Sequence, residues 1–505
     1  MTHNILSYLE DSVRKDPTHI AVADANTAWS YEQLREKACR IGTYLKRFVG
    51  GKRNQPILVC IDRSAESVAA FYGVVCSGNF YVPVDLNLPE KRLADIYNTT
   101  QPAAVLLTKK VQKKVPFPDD LVIEWECALK EEGDGSLIAQ TIERGIDTDP
   151  LYCIFTSGST GVPKGVLISH RGVIDMAEQF TKVFGFDETA VFGNQAPFDF
   201  DVSTKDLYIA LKNGASVEIL EKSLFMMPKL LVQRLNERKV NTLIWAAAAM
   251  KILSALRTFE KVVPACLRWV LFSGETLPCK VLNDWRAHMP DTRFANVYGP
   301  TEITCNCTYY IVDRPYANDE SLPIGRAFEN SDVFLLCGDQ EVTTAGAIGE
   351  ICVRGTCLAL GYYANPAKTE EAFCRNPLQK AYPERIYRTG DLGKWLEDGN
   401  LLFLGRRDSQ VKYMGHRIEL GEIEVAVNSL EQIQYACCLY DEAREKLCLF
   451  YQAAEQADKD VLQALRKLLP EWMIPNRVYY LEKMPENRTG KIDRAFLRRN
   501  YIEEN

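Results

Sequence analysis

The sequence of 505 residues contains no long apolar run. Its longest apolar stretches, such as Leu243–Met250, fall far short of the roughly 20 residues that a helix needs to cross a bilayer. The first residues, MTHNILSYLEDSV, do not join a basic segment to an apolar one, so no secretory signal is expected. The chain also lacks a large excess of one charge: it has 60 basic and 67 acidic side chains, which give a net charge of −7. Such a surface does not favour nucleic acid or anionic lipid, and we expect a cytoplasmic enzyme.

The chain has 16 cysteines, and its closest pairs lack the spacing of zinc knuckles. Cys305/Cys307 and Cys437/Cys438 are close pairs, but no histidine lies near either in the sequence. Without a secretion signal, scattered cysteines predict reduced thiols and not a disulfide framework. No repeat of roughly 20–50 residues and no low-complexity segment is visible.

Strand-like apolar runs alternate with helical patterns over the first four-fifths of the chain. Ile57–Ile61 and Ala104–Leu107 have the pattern of buried strands, and Glu66–Ser77 that of a helix. The alternation predicts an α/β fold with parallel sheets flanked by helices. From about Gly346, turns separate shorter strands, which indicates an antiparallel or barrel-like section.

The last hundred or so residues have the pattern of a separate unit. Apolar side chains recur at helical spacing over Leu420–Leu430, and a second helical pattern ends at Pro470. Charged and turn residues cluster near Asp408. A chain of this length exceeds a single compact core, so we predict a large domain over 1–407 and a small one over 408–505.

The densest chemical signal is Thr156–Val166 (TSGSTGVPKGV), directly after the apolar strand Leu151–Phe155. Its glycines leave backbone N–H groups accessible and its hydroxyls add donors, a composition suited to cradling a polyphosphate. A polar surface turn is the plainer alternative. The loop is not a Walker A motif, because Pro163 precedes Lys164 and Gly165 follows it. A GTPase or a kinase-type P-loop protein is therefore disfavoured.

Further motifs occur in a fixed order along nearly the whole chain. They are Trp29–Leu34 (WSYEQL), Tyr81–Arg92 (YVPVDLNLPEKR), Tyr298–Glu302 (YGPTE), Gly349–Tyr362 (GEICVRGTCLALGY), Tyr387–Asp391 (YRTGD), Gly405–Glu424 (GRRDSQVKYMGHRIELGEIE) and Asn487–Arg494 (NRTGKIDR). With the phosphate loop, they make the chain resemble the adenylate-forming superfamily of acyl-CoA synthetases, luciferases and nonribosomal peptide synthetase adenylation domains. The resemblance implies a large domain of flavodoxin- or Rossmann-like parallel sheets plus a distorted β-barrel. It also implies a small, mobile α+β C-terminal domain.

The resemblance also implies a nucleotide site that joins a carboxylic acid to AMP with ATP and Mg²⁺. Its residues are Thr156, Ser157, Gly158, Ser159, Thr160, Gly161, Lys164, Tyr298, Gly299, Thr301, Glu302, Asp391, Arg406 and Lys491. Lys491, Glu302 and Thr156 are implied to be catalytic. Glu302 would bind Mg²⁺, because a hard cation prefers carboxylate oxygen. Lys491 would stabilise the negative charge that develops at the α-phosphate.

Three further roles follow from the same resemblance. Asp391, expected at a rigid strand end, would accept hydrogen bonds from the ribose hydroxyls. Tyr298 would supply a flat face for the adenine. Asp408 and Lys412 would form the hinge about which the small domain rotates. Taken alone, these residues have plainer interpretations. Tyr298 would be a core aromatic, and Asp408 and Lys412 would form a charged linker turn. Arg406 and Lys491 would be solvated side chains, and Glu302 a surface residue after a proline turn.

The segment Phe200–Ser203 resembles the part of amino-acid-activating domains whose aspartate binds the substrate α-ammonium. Asp201 therefore favours an amino acid, although a helix N-cap is an alternative role and Asp199 is a nearby rival. The family's pocket positions fall on Asp201, Val202, Lys205, Ala246, Leu271, Ser273, Val297, Cys305 and Asn306. Several of them resemble pockets for serine or another small polar residue. Lys205 departs from that pattern: facing the ligand it would favour an acidic side chain, whereas turned to Asp206 or solvent it would indicate nothing.

Length and termini resemble the free-standing D-alanine–carrier protein ligases, although Ser273 stands where those usually carry cysteine. No carrier module follows Arg494, so transfer to the thiol of a separate phosphopantetheine carrier protein is expected. We also expect a monomer. The leading hypothesis is thus a ligase that activates a small amino acid. The alternatives are a D-alanine–carrier ligase, an acyl- or aryl-CoA ligase, and a non-catalytic nucleotide-binding protein.

Overall fold

The computed structural model describes residues 2–108, 115–157, 162–407, 410–485 and 492–503. The chain divides into two compact units. The first contains Met1–Asp85, Thr100–Ile154 and Gly165–Arg407. The second contains Leu86–Thr99, Phe155–Lys164 and Asp408–Asn505. The small unit thus takes up two segments from the first half of the sequence.

Helices occur throughout the described residues. They are α1 (Leu6–Lys15), α2 (Tyr31–Phe48), α3 (Ala65–Cys76), α4 (Glu90–Thr100), α5 (Trp125–Lys130), α6 (Leu137–Arg144), α7 (His170–Phe184), α8 (Val202–Asn213), α9 (Pro228–Glu237), α10 (Ala247–Ala255), α11 (Cys279–His288), α12 (Pro366–Ala372), α13 (Leu420–Asn428), α14 (Asp458–Leu468) and α15 (Arg494–Arg498). Local sequence explains their ends. Ser30 and Gln33 form a capping box at the start of α2, and Gly214 adopts a left-handed conformation after α8.

The strands of the first unit are numbered in chain order. They are β1 (Ile20–Ala23), β2 (Ala28–Ser30), β3 (Pro56–Cys60), β4 (Phe80–Val84), β5 (Ala104–Leu107), β6 (Val122–Ile123), β7 (Pro150–Thr156), β8 (Lys164–Ser169), β9 (Val191–Asn194), β10 (Ser216–Ile219), β11 (Thr242–Ala246), β12 (Trp269–Ser273), β13 (Arg293–Tyr298), β14 (Thr308–Ile311), β15 (Arg326–Ala327), β16 (Ser331–Cys337), β17 (Gln340–Glu341), β18 (Ile348–Gly355), β19 (Gly361–Tyr362), β20 (Tyr387–Trp395) and β21 (Leu401–Arg406).

Two large sheets form the body of the first unit. One has nine strands in the order β15-β14-β13-β12-β11-β9-β10-β1-β2, and its six central strands are parallel. The other has seven strands in the order β19-β8-β7-β4-β3-β5-β6. Every residue of α3 is buried, and one apolar core contains residues of α3 and of both sheets. The α/β class with parallel sheets is therefore confirmed, and β3, β5 and α3 correspond to the elements predicted there.

A third sheet in this unit is antiparallel throughout. Its five strands follow the order β17-β16-β18-β20-β21. It begins near the point where the sequence predicted an antiparallel or barrel-like section. Among its strands, β20 and β21 carry two residues of the predicted nucleotide site.

The second unit contains α4, α13, α14, α15 and two small sheets. A hairpin joins β22 (Gln410–Tyr413) to β23 (His416–Glu419), and three strands follow as β24 (Ile433–Asp441), β25 (Lys446–Ala453) and β26 (Arg477–Leu481). Arg92 of α4 pairs with Glu422 of α13 at 2.6 Å, both buried, which explains why Leu86–Thr99 groups with this unit. The predicted division into moving domains at Asp408 stays a prediction.

All 16 cysteines are free thiols, as predicted. Across the described ranges, no group of three or more His, Cys, Asp or Glu side chains could hold a metal ion. In the same ranges, no helix combines the length and apolar character needed to cross a membrane.

Candidate active site

Four of the nine predicted pocket residues lie on three neighbouring parallel strands: Ala246 on β11, Leu271 and Ser273 on β12, and Val297 on β13. Ala246 ends β11, Ser273 ends β12 and Tyr298 ends β13, and Ala246 is the register partner of Ser273. This edge is where open α/β sheets bind their ligands, because strand ends and loops leave side chains accessible there. The fold therefore brings Ala246 and Val297, which are 51 residues apart in the sequence, to two strands of the nine-stranded sheet that both pair with β12.

The chain turns sharply just after β13. Gly299 has no room for a side chain, because a Cβ atom would lie 2.6 Å from Cα of Asn306. A short helical turn covers Thr301–Ile303, and both Thr304 and Cys305 then have positive φ angles. Two consecutive non-glycine residues in this region are unusual, and the surrounding contacts hold them there. The turn places Cys305 and Asn306 against α8.

Lys205 lies on α8 with its side chain wholly inside the protein, 0% exposed. Its Nζ donates to Asn306 Oδ1 at 2.9 Å and to Ser273 Oγ at 3.2 Å. Burial lowers the pKa of Lys205, while Cys305, Asp201 and Asp206 act in the opposite direction. The side chain is thus turned to two predicted pocket residues and neither to solvent nor to a hydrogen bond with Asp206.

Asp201 stands at the N-cap position of α8, but its carboxylate makes no capping hydrogen bond. Its backbone carbonyl accepts instead, from Thr204 Oγ1 at 2.7 Å and from Cys305 Sγ at 3.1 Å. Burial, and then the charge of Asp201, raise the pKa of the Cys305 thiol to about 12. The helix-cap interpretation of this carboxylate is therefore wrong, since it does not cap the helix.

Four further predicted pocket residues are apolar and buried. Val202, Ala246, Leu271 and Val297 are all buried, and Leu271 and Val297 belong to the main core. Asp199, the rival of Asp201, has its pKa raised to about 6 by burial and then by Asp85. It is not among the hydrogen-bonded partners of Lys205.

A second buried polar group adjoins Lys205 and was not predicted. Asn194 at the end of β9 donates to Asp206 Oδ2 at 2.9 Å, and Arg63 donates to the Asn194 carbonyl at 2.9 Å. Burial raises the pKa of Asp206 to about 7 and lowers that of Arg63 to about 10. No motif marks these residues, because they come together only when β9 and α8 pack.

Two residues of the predicted nucleotide site share one carboxylate. Arg406 Nη1 donates to Asp391 Oδ1 at 2.6 Å, and the hydroxyl of Tyr298 donates to Oδ2. The predicted strand-end position of Asp391 is wrong: it lies in the middle of β20, directly opposite Arg406 of β21, because the pairing continues to Trp395. Arg406 is largely buried, so its alternative as a solvated arginine is also wrong.

Glu302 is completely buried, at 0% exposed, so it is not the surface residue of the plainer interpretation. Its Oε1 accepts a hydrogen bond from the hydroxyl of Tyr362 at 2.7 Å. Tyr362 ends the motif Gly349–Tyr362, but the sequence assigned it no role of its own. Mg²⁺ prefers carboxylate oxygens as ligands, and the hydrogen bond from the Tyr362 hydroxyl orients this carboxylate. The residues present therefore fit a site for Mg²⁺.

The phosphate motif is described at both of its ends. Thr156 is the last residue of β7, and its buried Oγ1 has no hydrogen-bond partner in the described part of the chain. Ser157 Oγ donates to the Arg417 carbonyl at 2.8 Å, and Lys164 begins β8. Lys412, the hinge candidate, lies within β22. Six other predicted residues lie outside the described ranges: Gly158, Ser159, Thr160, Gly161, Asp408 and Lys491.

Comparisons with known proteins show the family to which the chain belongs. Residues 9–363 match the family described as AMP-binding enzyme. The chain is 32% identical over 501 residues to tyrocidine synthase 1 of Brevibacillus parabrevis, covering 98% of this chain and 45% of that protein. It is 33% identical over 497 residues to bacitracin synthase 1 of Bacillus licheniformis, covering 97% of this chain and 9% of that protein. This chain thus spans less than half the length of either relative.

A solved structure of similar fold is holo-PA1221, an NRPS protein containing adenylation and PCP domains bound to a vinylsulfonamide inhibitor. The TM-score is 0.85 and the identity 25%, with 98% of this chain and 84% of that chain covered. The predicted resemblance and the predicted enzyme class are confirmed. The chain therefore belongs to the AMP-binding enzyme family and is an adenylate-forming ligase of the kind found in NRPS adenylation domains.

Proposed function

We propose that this protein activates a small amino acid as its aminoacyl adenylate and then transfers the aminoacyl group to a carrier thiol. The observation that carries the proposal is the position of Asp201. Its buried carboxylate lies at the ligand-binding edge of the sheet and does not cap α8. A buried carboxylate of this kind matches an ammonium group, which a plain carboxylic acid lacks.

In the first step, an oxygen of the substrate α-carboxylate attacks the α-phosphorus of ATP. The bond from that phosphorus to the bridging oxygen breaks, and pyrophosphate leaves with the electron pair. We propose that Asp201 holds the α-ammonium and thereby orients the attacking carboxylate. Asp391, kept in place by Arg406 and Tyr298, accepts hydrogen bonds from the ribose hydroxyls.

The phosphates require donors and a counter-charge. The hydroxyl of Thr156 is buried without a partner in the described residues, as a group that donates to a phosphate oxygen would be. Glu302, held by Tyr362, would hold Mg²⁺, and that ion supplies charge neutralisation at the phosphates. Lys491 stabilises the charge shared between the α-phosphate and the entering carboxylate. Its loss should lower the rate roughly a hundred- to a thousandfold, the range for loss of a donor that stabilises a transition state.

In the second step, the thiol sulfur loses its proton to solvent and attacks the acyl carbon. The bond from that carbon to the phosphate oxygen breaks, and AMP leaves with the electron pair. The proposed acceptor is a phosphopantetheine thiol on a separate carrier protein. The presence of a PCP domain in the similar structure PA1221 supports this class of acceptor. Rotation of the small domain about Asp408 and Lys412 would bring the thiol to the adenylate.

Amino-acid-dependent exchange of pyrophosphate into ATP tests the first step. We expect exchange with one amino acid or a few related ones and none with simple acids, and Asp201→Ala should abolish it. Exchange supported only by acids that lack an α-amino group would contradict the role of Asp201. For the second step, the activated amino acid is offered to a holo carrier protein and to CoA. Transfer to CoA alone would contradict the carrier proposal. D-Alanine is one of the amino acids tested in the exchange assay.

A further inference from the structure

The ammonium of Lys205 is buried without a direct counter-charge among the described residues. An ammonium has three N–H donors. The hydrogen bonds of Lys205 Nζ go to the neutral oxygens of Asn306 and Ser273. In the part of the chain that the structure describes, no carboxylate oxygen lies within 4.0 Å of this nitrogen. A charge removed from water in this way is costly unless an opposite charge joins it.

Neither nearby aspartate supplies that charge by contact. Asp206, the next residue, accepts a hydrogen bond from Asn194 and lies on another face of α8. Asp201 is not among the hydrogen-bond partners of Lys205 in the described residues, although its charge acts to raise the pKa of Lys205. The neutral oxygens of Ser273 and Asn306 hold the nitrogen in position, but they do not cancel its charge.

Asp201 and Lys205 are four residues apart at the start of one helix. Side chains with this spacing lie on the same helix face, with their Cβ atoms about 6 Å apart. The predicted pocket therefore presents an acidic group and a basic group one helical turn apart, with Ser273 and Asn306 beside the basic one. A ligand that carries an ammonium and, a few bonds away, a carboxylate matches both groups.

We propose that Lys205 binds the side-chain carboxylate of the substrate, so that the enzyme selects an acidic α-amino acid such as aspartate or glutamate. This inference rests on the proposed activation of an amino acid. Asp201 binds the α-ammonium, the α-carboxylate is left to react with ATP, and Lys205 pairs with the second carboxylate. Glutamine and asparagine have nearly the same shape but no charge, so they leave the buried ammonium uncompensated.

The test compares matched pairs of substrates in pyrophosphate exchange: glutamate with glutamine, and aspartate with asparagine. For at least one pair, kcat/KM of the wild-type enzyme should favour the acid by roughly tenfold to a hundredfold, the range for a hydrogen bond to a charged group. Lys205→Gln should reduce this preference to near unity, mainly through KM for the acid. Lys205→Arg should keep it. The matched control is Lys212→Gln on the same helix, where Lys212 pairs with Glu178 outside the pocket, and its preference should equal that of the wild type.

Each outcome decides the question. A wild-type enzyme that prefers the amide of both pairs, or a small neutral amino acid such as serine or alanine, overturns the inference without any variant. An equal loss for all substrates in Lys205→Gln also overturns it, since Lys205 would then serve the common α-carboxylate or the fold. If no amino acid supports exchange in the wild type, the proposed function itself fails, and this result is distinct from a wrong side-chain preference.

Discussion

Arg406 and Asp391 are joined by a hydrogen bond of 2.6 Å across two paired strands. The other oxygen of the same carboxylate accepts from Tyr298 at the end of β13. One buried carboxylate thus ties the nine-stranded sheet to the five-stranded sheet. The three side chains hold one another through these hydrogen bonds, which favours a preorganised site.

Removal of the Arg406 side chain should therefore lower the unfolding free energy of the protein as well as its activity. Arg406→Ala leaves a buried carboxylate without its cation, a change that costs about 3–5 kcal/mol of unfolding free energy. Urea denaturation measures this loss. Arg14→Ala, which breaks an exposed pair with Asp11, is the control and should change stability little. Equal losses in the two variants would contradict the structural role of the Arg406–Asp391 pair.

The hydrogen bond from Tyr362 to Glu302 makes a prediction about Mg²⁺. Tyr362→Phe removes the hydroxyl that positions the carboxylate, so the Mg²⁺ concentration for half-maximal exchange should rise roughly tenfold or more. A titration of exchange rate against Mg²⁺ measures it. The adjacent Tyr363→Phe is the control, because its hydroxyl does not contact Glu302. An unchanged Mg²⁺ requirement in Tyr362→Phe would contradict the assignment of Glu302.

Asp206 predicts a pH dependence of stability. Burial raises its pKa to about 7, well above the value near 4 in an unfolded chain. The folded protein therefore holds this proton more tightly, and the stability that the protonated carboxyl contributes is present below pH 4 and lost as pH rises through 7. Between pH 5 and 7, wild type should lose about 2 kcal/mol relative to Asp206→Asn.

Chemical denaturation at several pH values measures this difference between wild type and variant. Taking a difference removes the contributions of other groups, such as His170, whose pKa burial lowers to about 4. Asp187→Asn is the control, because a hydrogen bond from Thr189 lowers rather than raises the pKa of Asp187. If wild type instead became more stable relative to Asp206→Asn as pH rises, the result would contradict the raised pKa of Asp206.

Much of the fold and part of the site follow from the sequence. Buried apolar runs marked β3 and β5, and helical spacing marked α3 and α13, because these signals are local. Asp391 was misplaced at a strand end, since only its pairing with β21 shows how far β20 extends. The direction of Lys205 could not be predicted either. It depends on Asn306, 101 residues away, and on the unusual turn at Thr304 and Cys305.

Substitution of Thr156 should change the binding of ATP without lowering the stability of the protein. Its hydroxyl is buried and has no partner in the described chain, so Thr156→Val should leave unfolding free energy unchanged or slightly raised. KM for ATP should nevertheless rise, because a phosphate donor is lost. Thr141→Val is the matched control: the Thr141 hydroxyl donates to the Cys76 carbonyl at 2.7 Å, so this variant should lose about 1 kcal/mol without a change in KM. A loss of stability in Thr156→Val with an unchanged KM for ATP would contradict the proposed phosphate contact.

The central claim is that this chain forms aminoacyl adenylates at a site built around Asp201. Pyrophosphate exchange with purified enzyme, ATP and a panel of single amino acids tests it most directly. The account predicts exchange that requires an α-amino acid and is lost in Asp201→Ala, although that variant still binds ATP. Exchange that is indifferent to the α-amino group, or that survives intact in Asp201→Ala, would contradict it.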